Sequence, residues 1–78
     1  MHDDTYYFNI IRHNIKRIRK TKNITKEELA QRIGVTTKYI EILENEDMPS
    51  DFTVAIVGKI ADALQVDISE LFKEPEKK

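Results

Sequence analysis

A chain of 78 residues has room for one small core and no large enclosed substrate pocket, and with no cysteine it has neither disulfides nor a thiolate metal site. The acidic "MHDD" start is no signal peptide and no apolar run approaches the length of a membrane span, so a soluble cytoplasmic protein is expected. Two glycines, two prolines and 35% charged residues fit a compact helical domain, while a net charge of −1 argues neither for nor against a nucleic-acid partner.

Along the chain, Phe8, Ile11, Ile15 and Ile18 recur at helical spacing and predict an amphipathic helix over about 6–21. "TKN" ends it, with Asn23 suited to the left-handed conformation usually given to glycine. Tyr6, Tyr7 and Ile10 fall off the main stripe, where they either edge the core or form a partner surface.

One pattern then appears four times: an apolar residue, a Thr or Asp, three residues, and another apolar residue. It reads Ile24-Thr25…Leu29, Val35-Thr36…Ile40, Phe52-Thr53…Val57 and Val66-Asp67…Leu71. Each is a helix start, in which the Thr or Asp side chain accepts from an orphaned backbone N–H and the flanking apolar pair forms a hydrophobic staple. Glu28 and Glu70 add the acid expected three residues after a cap. Helices are therefore expected near 26–33, 37–45, 54–64 and 68–72. Gly34 closes the second of these and leaves only a tight turn before Thr36, so two short helices must cross steeply in a helix-turn-helix. The reading is one all-α, five-helix domain over 1–72, with "KEPEKK" at 73–78 a frayed, flexible tail.

Charge is unevenly placed. Residues 12–38 hold nine basic and two acidic residues, a net of +7, and residues 39–78 carry a net of −6. Such a dipolar chain can present one basic face while staying near neutral overall, although many helical proteins merely solvate a face of this kind. Lys26 and Lys38 fall in the first turns of their helices, where a cation opposes the helix dipole at a cost of roughly 0.3–1 kcal/mol each. A nearby phosphate would reverse that sign.

"NITKEELAQRIGVTTKYIEILEN" resembles the helix-turn-helix of the Cro/CI-type (XRE-family, lambda-repressor-like) DNA-binding domains. "IRHNIKRIRKTK" is similar to that family's first helix, and "KIADALQVDISELF" to its fourth and fifth, so the likeness covers roughly residues 10–72. The resemblance implies a five-helix domain that binds double-stranded DNA as a two-fold dimer, with its third helix in the major groove. By position it implies base reading by Thr37, Lys38 and Ile42, phosphate contacts from Lys26 and Tyr39, and a buried ion pair between Arg19 and Glu44. Ile42 would meet a thymine methyl, although an isolated exposed isoleucine is also ordinary. Homodimerisation is expected through Ile68, Leu71 and Phe72, helped by Tyr6 and Tyr7.

The sequence departs from the family pattern in "NEDMPSDFT", residues 45–53, which is about two residues longer than the usual loop. It carries Glu46, Asp47 and Asp51 where relatives often place glycine and basic residues. Glu41 is expected to flank the reading face and Glu44 to turn inward. His2 and His13 have no carboxylate or cysteine cluster beside them, and no glycine-rich phosphate loop or paired acids are present. No catalytic residue, metal, cofactor or small-molecule ligand is expected. The leading expectation is a sequence-specific transcriptional regulator of the repressor kind. The rival is a protein-interaction regulator or antitoxin-like adaptor on the same fold, binding through its acidic half.

Overall fold

The computed structural model describes residues 4–45 and 53–74, with side chains from Tyr6 onward. It is all-helical over those residues: α1 (Asp4–Thr21), α2 (Lys26–Ile33), α3 (Thr37–Glu44), α4 (Val54–Leu64) and a short 3-10 helix, η1 (Ile68–Phe72). Helix α1 starts at Asp4, two residues before the expected start at Tyr6 and four before the apolar stripe begins at Phe8. The fifth element winds as 3-10 rather than α, as befits five residues between the Asp67 cap and Lys73. The acidic-loop residues Glu46, Asp47 and Asp51, along with Phe52 and His2, lie outside the described residues.

All four helix starts are capped by the side chains that mark them in the sequence. Thr25, Thr36 and Thr53 each accept from the backbone N–H three residues on, and Asp67 accepts from Ser69. At Thr25 the reciprocal bond is present too, with the Thr25 N–H donating to the Glu28 carboxylate at 2.9 Å. Glu70 makes no such return bond and instead pairs with exposed Lys73 at 3.5 Å.

The staples deliver their apolar partners to one core. Leu29, Ile40 and Leu71 are buried, and they meet Ile11, Ile15 and Ile18 of α1 and Val57, Ile60 and Leu64 of α4. Helix α2 packs on α3 and α4, while α1 packs on α3, α4 and η1. Ile10, off the main stripe of α1, is buried as well. Asn14 reaches from α1 to η1, donating to the carbonyls of Leu71 at 2.9 Å and Lys73 at 2.8 Å. Tyr6 donates to Glu74 at 2.6 Å, so the first two residues of the expected tail are bonded to α1.

The two carboxylates engaged at helix starts give the fold a pH dependence. The bond from the Thr25 N–H holds the Glu28 carboxyl below its ordinary range, and the Ser69 N–H does the same for Asp67. A carboxylate whose pKa falls on folding stabilises at pH above its unfolded value, and that contribution fades as pH drops through the folded value. Asp67→Ala should therefore lower the urea midpoint near neutral pH, and the difference from wild type should shrink well below about pH 4.

Three of the four α-helices are followed by a left-handed residue: Asn23 (φ 59°) after α1, Gly34 (φ 77°) after α2 and Gln65 (φ 61°) after α4. Gln65 carries a Cβ into a region that glycine enters freely. Its N–H and that of Val66 close α4 on the carbonyls of Asp62 and Ala61, so the geometry is held despite the residue type. Gln65→Gly is expected to raise stability by about 0.5–1 kcal/mol in a denaturant titration, because it relieves the left-handed Cβ without breaking a helix.

Candidate nucleic-acid interface

The turn between α2 and α3 is built by two residues. Gly34 enters the left-handed region, and Val35 donates back to the Ala30 carbonyl at 3.0 Å, closing α2. Nothing lies within 4 Å of where a Gly34 Cβ would stand, so its left-handed φ rather than space favours glycine there. Thr36 then caps α3, its hydroxyl accepting from Tyr39 N–H at 3.1 Å.

Helix α3 has a clear inside and outside. Ile40 and Leu43 are each 1% exposed and face the core, while Lys38, Tyr39 and Glu41 are exposed and Thr37 and Ile42 half-buried. Lys38 and Ile42, four residues apart, lie one above the other on the outer face. No acid occupies the first turn of α3, so Lys38 stands there without the carboxylate that helix dipoles favour. Lys26, the first residue of α2, is half-buried, and of the two acids beside it Glu28 is engaged with the Thr25 backbone.

Helix α3 is tied to α1 at two points. Arg19 grips Glu44 with both arms, Nε to Oε2 at 2.8 Å and Nη2 to Oε1 at 3.0 Å, and its Nη1 donates to the Ile24 carbonyl at 3.0 Å. Both side chains are less than a tenth exposed. Two turns earlier on α1, Arg12 donates to main-chain carbonyls at the end of α3. Burial of both arginines corrects the charge layout read from the sequence: neither contributes to a basic surface. The exposed basic side chains of this stretch are instead Lys16, Arg17, Lys20, Lys22, Arg32 and Lys38, with Lys26 half-buried, and Arg32 also donates to the Ala63 carbonyl.

The expected partner surface needs a second correction. Leu71 is fully buried in the monomer core and cannot meet another chain, whereas Ile68, Phe72 and Tyr7 are 37%, 49% and 49% exposed. Among the described residues no His, Cys, Asp or Glu cluster is placed to hold a metal ion, and no helix is long and apolar enough to cross a membrane. His13 is exposed on α1.

The sequence matches the HTH_3 (helix-turn-helix) family over residues 15–71, the stretch from the middle of α1 to the buried leucine of η1. The chain belongs to that family. HTH_3 is the Cro/CI (XRE) type of helix-turn-helix DNA-binding transcription regulator. No curated protein matches the chain. Among solved structures, the fold is shared with the hypothetical transcription factor NHTF from Neisseria, at 24% identity and a TM-score of 0.80, over 96% of this chain and 85% of that one. It is also shared with the restriction-modification controller protein C.AhdI from Aeromonas hydrophila, at 23% identity and a TM-score of 0.75, over 83% and 96%. A third structure that shares the fold is the restriction-modification controller protein C.Esp1396I, solved as a tetramer with its natural 35-base-pair operator. It is 24% identical, with a TM-score of 0.70 over 92% of this chain and 100% of that one.

Proposed function

We propose that this HTH_3 domain is a sequence-selective transcriptional repressor that binds double-stranded DNA as a homodimer, with α3 in the major groove. The outer face of α3 carries the proposal. Lys38 and Ile42 stand on it opposite the buried Ile40 and Leu43, at the end of a turn whose helix start bears a cation and no acid. Lys38 suits a guanine edge, Ile42 a thymine methyl and Thr37 either kind of base. Lys26 at the start of α2 and Tyr39 beside the Thr36 cap supply phosphate contacts, which set register without reading sequence. The similar controller protein solved as a tetramer on its operator supports both the DNA partner and assembly from several copies.

Salt-titrated fluorescence anisotropy on a selected operator and a scrambled control separates these roles. Lys26→Ala should weaken binding to both DNAs and flatten the slope of log K against log salt by about 0.9 for the lost phosphate contact. Lys38→Ala should relax preference at one base position by roughly 1–3 kcal/mol. Derepression of a reporter by the same variants tests the repressor role. If no selected sequence is preferred and Lys26→Ala changes nothing, the reading fails in favour of a regulator that binds protein.

A further inference from the structure

We propose that Arg12 is a positioning residue for DNA reading: it caps the C-terminal end of α3 from α1 and thereby fixes how Ile42 meets the groove. The inference rests on the proposed role of α3 in reading DNA. It starts from how the helices end. Helices α1, α2 and α4 are each followed by a left-handed residue, whereas the residue that directly follows α3, Asn45, is not left-handed. Asn45 is extended, at φ −98° and ψ 113°, and its N–H donates to the Ile42 carbonyl at 3.2 Å. The last carbonyls of a helix have no partner within it and must be met from elsewhere.

Arg12 meets them. A single nitrogen, Nη1, donates to the carbonyls of Leu43 at 3.0 Å, Ile42 at 3.2 Å and Asn45 at 3.3 Å. The residue is 4% exposed, so its charge is spent inside the protein, against the negative end of the α3 dipole, and cannot reach a phosphate. One of the three carbonyls belongs to Ile42, whose side chain stands on the outer face of α3. A buried cation on α1 therefore holds the backbone of a residue proposed to touch bases. Arg12 lies outside the 15–71 family match, and the Arg19–Glu44 tie does not involve it.

The planar guanidinium suits three carbonyls spread over a helix end better than an ammonium does. Arg12→Met keeps a long apolar stem and removes the donor; Arg12→Lys keeps the charge but changes the fork. In the full chain, under conditions where circular dichroism shows each variant folded, Arg12→Met should lower the ratio of operator to scrambled affinity by about tenfold, within what one well-made base contact discriminates. The loss should concentrate at the base pair that Ile42→Ala also relaxes. Its salt slope should match that of wild type, because no phosphate contact is lost. Arg12→Lys should restore only part of the ratio. Amide exchange of Leu43, Glu44 and Asn45 should quicken in both variants, more in Arg12→Met.

A folded Arg12→Met with the wild-type ratio overturns the proposal, as does a uniform loss of affinity with a flattened slope, which would make Arg12 a phosphate contact. If Arg12→Met does not fold, the wild-type ratio in Arg12→Lys overturns it instead. Should wild type itself prefer no sequence, the DNA reading fails on its own. Amide exchange then decides the cap: wild-type protection of the last turn of α3 in either variant would refute it.

Discussion

Glu44→Ala should destabilise the domain by about 3–5 kcal/mol, the range for removing one member of a buried ion pair. The substitution leaves the Nε and Nη2 of Arg19 without the carboxylate that both now contact, in a side chain only 7% exposed. The bond from Nη1 to the Ile24 carbonyl survives but does not neutralise the charge. For a domain of 78 residues, total stability is about 4–12 kcal/mol, so the variant should lie close to unfolding at room temperature. The pair is a means of specifying how α1 meets α3 rather than a source of net stability. Replacing both partners with apolar residues of similar size, Arg19→Met with Glu44→Leu, should recover most of the loss, because no buried charge remains. Denaturant midpoints for the two single variants and the double variant close the cycle. An unchanged midpoint in Glu44→Ala would remove the pair from the account of the fold.

What the sequence revealed is local, and what it concealed is mostly long-range. Thr25, Thr36, Thr53 and Asp67 announce helix starts because a cap bonds a backbone group two or three residues away, so the whole motif is visible in a short window. Gly34 announces a helix end because its residue type matches its conformation. Gln65 does the same work with a side chain that gives no such signal, and only its φ of 61° reveals it. Arg12 and Asn14 are harder still. Their acceptors are main-chain carbonyls on segments about thirty to sixty residues away, and every residue has a carbonyl. Arg12 counts toward a basic face by charge alone, whereas the family resemblance already implies a buried Arg19 paired with Glu44. The seven-residue spacing of the two arginines, the same two-turn step that separates Ile11 from Ile18, was the available clue that they share the buried side of α1. In the candidate interface, Lys38 and Ile42 were legible as outward positions because Ile40 and Leu43 define the inward stripe.

The same inward–outward logic divides η1 and predicts opposite consequences for adjacent residues. Leu71 is fully buried against α1 and α4, and Leu71→Ala should cost about 2–5 kcal/mol through lost burial and the cavity left behind. Phe72 is half exposed, so Phe72→Ser should cost the monomer less, about 1 kcal/mol for the half of the side chain that is buried. Its expected effect is on assembly. Ile68, Phe72 and Tyr7 are the exposed large apolar residues that η1 and the start of α1 offer to the proposed dimer. Asn14, through the Leu71 and Lys73 carbonyls, and Tyr6, through Glu74, hold those two segments together. Leu71→Ala should therefore sharply lower the denaturant midpoint of the isolated monomer, whereas Phe72→Ser combined with Ile68→Ser should leave the monomer folded and mainly raise the dimer dissociation constant. Sedimentation equilibrium over a range of protein concentrations reads the second effect directly. An operator with two half-sites would then be bound more weakly by the double variant, while a single half-site would be bound as before, since α3 is untouched. A double variant that dimerises like wild type would move the interface away from η1 and leave these side chains as edges of the monomer core.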